Sequence, residues 1–253
     1  MENVGIYVHV PFCQQKCRYC DFPSWAGLSE ADARRYFEAV CLEIRAFAAE
    51  QGRLSARTVY FGGGTPSYVA ADHIGQVMDC IQECFELPGE AVEATIEANP
   101  GTLTGEKCRA YRDMGLNRVS LGLQTTSDEG LKALGRIHTY ADFETSLELL
   151  GSAEFENISA DFMVGLAGQS LGEVRRDVAK LAAAEPVEHI SGKKKKKIRF
   201  EKLIFRRNEM RREQTMYSVE EFACSPEVLE ANSTTDRKST RRNSSQERKR
   251  KEE

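Results

Sequence analysis

The chain has 253 residues, a formal net charge of −4, 41% hydrophobic residues and 29% charged residues. This is enough apolar material for one full core, but no stretch approaches the roughly 20 uninterrupted apolar residues of a membrane helix. The N-terminal run lacks the basic segment of a signal peptide. We therefore expect a cytoplasmic protein whose eight cysteines are reduced, not a secreted or membrane protein.

Charge is distributed unevenly along the chain. Residues 1–191 have a net charge of −12, whereas residues 192–253 have a net charge of +8. We predict a folded core over 1–191 and a basic tail over 192–253 that is disordered or partly helical, because its end is too polar to bury a core. The tail could bind nucleic acid or a membrane surface, but we favour a segment foreign to the core and expect no nucleic acid as a partner.

Strand-like and helix-like segments alternate through the core. The predicted strands are 5–12, 58–61, 92–97, 118–124, 157–164 and a stub from 188; the predicted helices are 29–52, 70–87, 104–115, a stretch to about 153 and one from 170 that ends before Pro186. On the first helix we expect a buried stripe that includes Phe37, Ile44 and Phe47. Such repetition implies an α/β fold of parallel strands with right-handed crossovers. A closed eight-unit barrel takes about 250 residues, so we expect a partial (βα) TIM-like barrel.

Three cysteines follow the first predicted strand within eight residues: Cys13, Cys17 and Cys20. Thiolates this close together indicate a soft metal centre. A structural zinc ion takes four ligands, commonly from two paired knuckles, and no second knuckle is present. A four-iron cluster usually takes four cysteines, so three on one loop would leave one iron open to a substrate or cofactor.

The spacing C-x-x-x-C-x-x-C on the first strand-to-helix loop resembles the signature of the radical S-adenosylmethionine (SAM) enzymes. The runs YVHVPFC at 7–13 and CDF at 20–22 are similar to the oxygen-independent coproporphyrinogen III oxidase family, and within it to the haem chaperone (HemW-like) branch. The resemblance covers about residues 4–191. It implies a radical SAM core with a [4Fe-4S] cluster on Cys13, Cys17 and Cys20 and S-adenosyl-L-methionine at the open iron.

The same resemblance implies a set of S-adenosylmethionine contacts at the strand ends. The set combines a glycine-rich turn with two tyrosines, two acids, an amide and a cation: Tyr7, Tyr19, Gly63, Gly64, Thr65, Glu97, Gln124, Arg136 and Asp161. Parallel (βα) folds gather their binding groups at the carboxyl ends of the strands. We therefore expect these residues to converge above the cysteines.

Position 22 is Phe, where the coproporphyrinogen oxidases of this family have a further cysteine. The difference favours the chaperone branch, which implies binding of haem or a porphyrin, delivery to acceptor proteins such as respiratory enzymes, and an electron donor. Two alternatives stay open. One is an enzyme of porphyrin biosynthesis that oxidatively decarboxylates coproporphyrinogen III, and the other is a zinc-binding interaction module. Whether the chain is an enzyme or a carrier is not decided by its sequence.

Overall fold

A computed structural model describes residues 3–27, 29–52, 54–89, 92–195 and 200–206. The chain divides into two compact units. The first comprises Met1–Asp161 and Glu185–His189, and the second comprises Phe162–Ala184 and Ile190–Glu253. This division does not follow the predicted boundary at residue 191, and the assignment of core and tail stays a prediction.

Strands and helices alternate in the first unit. Its elements are β1 (Asn3–Val10), β2 (Phe12–Cys13), β3 (Trp25–Ala26), α1 (Glu30–Gln51), β4 (Ser55–Gly63), a 3₁₀ turn (Pro66–Tyr68), α2 (Ala71–Cys84), β5 (Glu93–Ala98), α3 (Gly105–Asp113), β6 (Arg118–Gln124), α4 (Asp128–Ala133), α5 (Tyr140–Ser152) and the start of β7 (Asn157–Val164). The remaining elements are α6 (Leu171–Ala183), β8 (Val187–Lys195) and β9 (Phe200–Arg206). Strands β7 and β8 begin in the first unit and end in the second.

The main sheet has the strand order β1-β4-β5-β6-β7-β8-β9. The pairs β1–β4, β4–β5 and β5–β6 are parallel, with Val10 opposite Gly63 and Phe61 opposite Ile96. The two strands of each of these pairs are joined through one α-helix, as the alternating sequence pattern predicts. Parallel pairing brings the carboxyl ends of β1, β4, β5 and β6 to one edge of the sheet. The predicted parallel (βα) architecture is confirmed.

The core of the first unit forms between the sheet and its helices. On α2 the residues at helical spacing, Ile74, Val77, Met78 and Ile81, are all buried, as predicted. On α1 the predicted stripe is buried at Phe37, half-buried at Ile44 and wrong at Phe47, which is 46% exposed. Helix α1 has 22 residues, whereas α2, against which it packs, has 14 and ends at Cys84. Phe47 stacks on Phe85, the residue that follows α2, with 6.4 Å between ring centroids.

Side-chain caps fix the helix starts that the sequence predicts. Ser29 and Asp32 form a reciprocal capping box at α1, and Thr104 accepts a hydrogen bond from the Lys107 amide at α3. These contacts satisfy backbone N–H groups that a helix start otherwise leaves without partners. Each cap fixes the residue at which a strand-to-helix loop ends, and therefore the length of the loop that can carry binding groups.

The second unit contains the end of β7, α6 and the end of β8. Helix α6 begins at the predicted capping box of Ser170 and Glu173, and it buries Val174, Val178 and Leu181. Beyond residue 191 the described chain is extended in β8 and β9, where the sequence suggested disorder or a basic helix. Residues 196–199 and 207–253 of the predicted tail lie outside the described residues. None of the helices among the described residues has both the length and the hydrophobicity of a membrane-spanning segment.

Candidate cofactor site at the carboxyl ends of the strands

The loop between β2 and β3 carries the three cysteines of the predicted cluster site. Cys13 is buried at the end of β2, and Cys17 and Cys20 are half-buried; none is in a disulfide. The loop is fixed to the turn after α4, because the Gln15 side chain donates to the Gly135 carbonyl at 3.0 Å and the Arg18 amide donates to the Leu134 carbonyl at 3.1 Å. Residues more than 100 positions apart therefore fix the shape of this loop.

The pKa of the Cys17 thiol depends on both other cysteines of the loop. Burial raises the pKa of the Cys17 thiol, the Arg136 guanidinium lowers it, and the thiols of Cys20 and Cys13 raise it. Three thiolates here would repel one another unless positive charge lay between them. A bound metal centre supplies that charge, and thiolates are the ligands that iron–sulfur clusters take.

The donor set of this loop is three free thiols, the soft ligands that iron–sulfur clusters take. Within the described ranges, no three His, Cys, Asp or Glu side chains converge to hold one metal ion. The cysteines of a four-iron cluster each bind a different iron, so they surround the group without converging on a point. A single zinc ion on this loop stays a prediction that metal analysis would test.

The glycine-rich turn after β4 lies directly against the cysteine segment. The Gly64 amide donates to the Val10 carbonyl at 2.8 Å, and the Thr65 amide donates to the Phe12 carbonyl at 2.7 Å. A Cβ on Gly64 would lie 2.8 Å from both the Val10 and Phe12 oxygens, so only glycine allows this approach. The Thr65 hydroxyl reaches the Cys13 sulfur at 3.6 Å.

Glu97 lies at the end of β5 and accepts two hydrogen bonds. The Tyr60 hydroxyl donates to one carboxylate oxygen at 2.7 Å, and the Gly63 amide donates to the other at 3.1 Å. The ring of Tyr7 stacks on Tyr60 with centroids 6.0 Å apart. Burial raises the pKa of the Tyr7 hydroxyl, and the Glu97 carboxylate raises it too. The carboxylate is therefore held in one orientation beside an exposed aromatic face.

Arg136 links the cysteine loop to β5. Its Nη2 and Nε groups donate to the Tyr19 hydroxyl at 2.5 and 3.1 Å, and its Nη1 group donates to Asn99 Oδ1 at 2.6 Å. Its guanidinium also lies over the Tyr19 ring, 5.7 Å from the centroid. Burial raises the pKa of the Tyr19 hydroxyl, although the Arg136 charge opposes that shift. A cation fixed this way is suited to an anionic ligand group.

The last two predicted site residues are Gln124, at the end of β6, and Asp161, within β7. Gln124 is buried and has a φ of 82°, a left-handed conformation that is uncommon outside glycine and that clusters at functional sites. A Cβ on Gly122 would lie 3.1 Å from Gln124 Nε2 and 3.3 Å from Arg136 Nη2, so both side chains lie over that glycine. Burial raises the pKa of the Tyr60 hydroxyl, and the carboxylates of Glu97, to which it donates, and of the buried Asp161 raise it further.

These contacts bring the predicted residues together in two connected groups. One group contains Cys13, Cys17, Tyr19, Gly64, Thr65, Gln124 and Arg136; the other contains Tyr7, Gly63, Glu97 and Asp161. Cys20 joins the first group, since its amide donates to the Cys17 carbonyl at 3.2 Å. Which cofactor atom each residue contacts stays a prediction.

Asn99 lies at the centre of the first group and was not predicted from the sequence. Its side-chain oxygen accepts a hydrogen bond from Arg136, and its side-chain NH₂ group donates to the Thr65 hydroxyl at 3.0 Å. Its backbone amide donates to the Ser67 hydroxyl, which fixes its position. A cavity of about 20 Å³ is lined by Cys17, Thr65, Asn99, Arg136, His138 and their neighbours. An Asn followed by Pro100 at a strand end was the available signal, but it is also an ordinary turn pattern.

Comparisons with known proteins agree with this geometry. The family model described as "Radical SAM superfamily" matches residues 7–181. The "Heme chaperone HemW" of Bacillus subtilis is 35% identical over 185 residues, 73% of this chain and 48% of that protein. The protein of that name from Lactococcus lactis is 39% identical over 175 residues, 69% of this chain and 44% of that protein. The chain thus spans about half the length of these relatives.

A solved structure shows the same fold. The coproporphyrinogen III oxidase HemN from Escherichia coli, described as a radical SAM enzyme, superposes with a TM-score of 0.68 at 24% identity. The match covers 76% of this chain and 43% of that one. With the family match over most of its described residues, this chain belongs to the radical SAM superfamily, whose cofactors are a [4Fe-4S] cluster and S-adenosyl-L-methionine.

Proposed function

We propose that Cys13, Cys17 and Cys20 hold three irons of a [4Fe-4S] cluster and that the strand-end residues bind S-adenosylmethionine at the fourth. The observation that carries the proposal is the position of three unpaired cysteines on one fixed loop, with Arg136 and the glycine-rich turn directly beside them. When bound, this pair of cofactors supplies the electron and the sulfonium for radical chemistry.

The chain's own residues would bind and orient the nucleotide. The Arg136 guanidinium can pair with the methionyl carboxylate, since its bonds to Tyr19 and Asn99 fix it beside the cysteine loop and leave one N–H on each Nη group. Gly63, Gly64 and Thr65 offer backbone and hydroxyl groups to the methionyl amine. Glu97 is held by Tyr60 and Gly63 in a position to accept bonds from ribose hydroxyls. Gln124 and Asp161 complete the polar lining, and the Tyr7 and Tyr19 rings give flat apolar faces.

We further propose that the whole protein acts as a haem chaperone. Two observations support this function: the relatives at 35% and 39% identity are haem chaperones, and position 22 is an exposed Phe where the decarboxylating enzymes have cysteine. Its partners would be haem or a porphyrin, haem-acceptor proteins such as respiratory enzymes, and an electron donor for the cluster. A cytoplasmic location is part of the same proposal.

Anaerobic reconstitution of the full chain with iron and sulfide tests the cluster. We expect about four irons and four sulfides per chain, and an electron paramagnetic resonance signal on reduction that changes when S-adenosylmethionine is added. Cys17→Ala should remove the signal, whereas Cys84→Ala, a half-buried cysteine on α2, should keep it. Zinc in place of iron, or a signal unaffected by Cys17→Ala, would overturn the proposal.

The carrier and enzyme functions are separated by a second measurement. Haem is added to the reconstituted chain and binding is followed by the absorption of its Soret band; coproporphyrinogen III is offered in a parallel assay. We expect stable haem binding and no release of carbon dioxide or 5′-deoxyadenosine with the porphyrinogen. Turnover of the porphyrinogen would instead favour the oxidative decarboxylase.

A further inference from the structure

Thr65 lies between a proposed cluster ligand and the amide of Asn99. Its hydroxyl oxygen is 3.6 Å from Cys13 Sγ and 3.0 Å from Asn99 Nδ2. Both Thr65 and Cys13 are buried, with exposed fractions of 5% and 8%. Water therefore does not compete for the hydroxyl proton, and the contact with sulfur depends on which neighbour that proton faces.

The chemistry of the neighbours fixes the direction of every bond in this series. A guanidinium only donates, so the Asn99 atom that faces Arg136 Nη1 at 2.6 Å must be the carbonyl oxygen. The other end of the amide is then the NH₂ group, which donates to Thr65. Because the Thr65 oxygen accepts from Asn99, its single proton is left to point at Cys13. The order of donation runs from Arg136 through Asn99 and Thr65 to the sulfur.

We propose that Asn99 and Thr65 form a directional hydrogen-bond relay that raises the reduction potential of the cluster bound at Cys13. This inference rests on the proposed cluster site. Hydrogen bonds to the sulfurs are among the factors that set the potential of iron–sulfur centres. A proton held against Cys13 stabilises the extra negative charge when [4Fe-4S]²⁺ takes one electron to become [4Fe-4S]⁺. Asn99 is a positioning residue, since it acts through the orientation of the Thr65 hydroxyl.

The experiment is a potentiometric titration of the reconstituted full chain with dithionite, monitored by electron paramagnetic resonance. S-adenosylmethionine is left out, so any role of Thr65 in binding that nucleotide does not contribute. Thr65→Val removes the proton while keeping the shape of the side chain. We expect the ratio of oxidised to reduced cluster at a fixed potential to rise about tenfold, which for a one-electron couple is a shift of about 59 mV to more negative potential.

Two further variants test the relay itself. Thr65→Ser keeps the hydroxyl and should restore the original potential. Asn99→Asp keeps the acceptor for Arg136 but turns the donor to Thr65 into an acceptor, so the Thr65 proton leaves Cys13 and the potential should fall. The double variant should shift the potential less than the sum of the single shifts, because both changes break one bond. Thr58→Val, an exposed position early in β4, is the matched control and should change nothing.

The possible results separate this inference from the proposed function. A chain that binds no cluster overturns both. The relay alone is overturned if the cluster forms normally and Thr65→Val leaves its reduction potential unchanged. It is also overturned if Thr65→Ser shifts the potential as much as Thr65→Val does. Additive shifts in the double variant also overturn it, since the carboxylate introduced by Asn99→Asp would then act through its charge. If Thr65→Val fails to bind the cluster, the potential is measured in Asn99→Asp instead. An unchanged reduction potential in that variant would also overturn the relay.

Discussion

The two edges of the parallel sheet in the first unit differ in how open they are and in how their polar groups are used. At the amino ends of the strands, a cavity of about 1040 Å³ is lined by Glu93, Arg112, Glu154, Glu188 and their neighbours. At the carboxyl ends the cavity is only about 20 Å³, yet the side chains of Tyr60, Thr65 and Arg136 there each have a hydrogen-bond partner on another element. Volume therefore does not locate the site; convergent, oriented donors and acceptors do.

The largest expected effect is at the carboxyl edge. Gly64→Ala places a Cβ 2.8 Å from two backbone oxygens, so the turn must move away from the cysteine segment. We expect the free energy of unfolding to fall by about 2–3 kcal/mol and cluster binding to be lost. Urea denaturation and iron content measure the two effects.

Gly75→Ala is the matched control for that substitution. Its Cβ would meet only Met114 Cε, at an ordinary distance of 3.5 Å, within helix α2. We expect it to stabilise the chain by about 0.5–1 kcal/mol and to leave the cluster intact. Equal losses in both variants would show that the contact between the turn and the cysteine segment has no special importance.

The second-largest effect is expected at His138, whose protonation makes the free energy of unfolding depend on pH. Burial, with the Arg136 charge, lowers the pKa of His138 to about 4 from its ordinary value of 6.5. Below pH 6.5 the histidine binds a proton in the unfolded chain but stays neutral in the folded chain. The contribution of His138 to the free energy of unfolding is therefore complete above pH 6.5 and is lost as the pH falls toward 4. The loss should approach about 3 kcal/mol.

Urea denaturation between about pH 7 and pH 4 measures this dependence. His138→Gln retains a donor for the Leu123 carbonyl but does not titrate, so the difference between the two chains isolates the histidine. The difference in the free energy of unfolding between the two chains should change steadily across that range. If it stays constant, the His138 imidazole, which is buried beside the carboxyl-edge cavity, is not shielded from water.

A third test compares an arginine from each edge. Arg136→Lys loses the fork that reaches both Tyr19 and Asn99, and we expect S-adenosylmethionine to bind the reconstituted chain about tenfold more weakly. Arg112→Lys, at the amino edge, should leave this affinity unchanged. Equilibrium dialysis with labelled nucleotide measures both, and equal losses would contradict the assignment of the site to one edge.

The smallest effect is expected in the larger cavity. Glu93 is half-exposed and its carboxylate lies 3.9 Å from the Arg118 guanidinium, a long contact that contributes little. Glu93→Gln should change the free energy of unfolding by less than about 0.5 kcal/mol and should not alter nucleotide binding. A strong loss of nucleotide affinity in this variant would reverse the comparison of the two edges.

Much of the fold could be predicted from sequence because its signals are local. Strand and helix order follows from apolar spacing, and the capping boxes at Ser29 and Ser170 mark helix starts within three residues. Phe47 could not be placed, because its exposure depends on where another helix ends. Strand β9 was missed because its basic sequence resembles a helix or a disordered tail as much as a strand.

The candidate site was predicted in part for a different reason. The cysteine spacing is a local pattern, and the strand-end residues could be matched to a family. Asn99 and Tyr60 were missed because their roles come from partners 34 to 37 positions away, which no local pattern encodes. The left-handed backbone of Gln124 likewise has no signal in its residue type.

The bonds that fix the cysteine loop, from Gln15 and Arg18 to the turn after α4 and from Gly64 and Thr65 to Val10 and Phe12, contain no metal. They join protein groups alone, so they restrain the loop independently of a bound cluster. We therefore expect a chain that has lost its iron to oxygen to take up a new cluster without first unfolding, which would make the damage reversible.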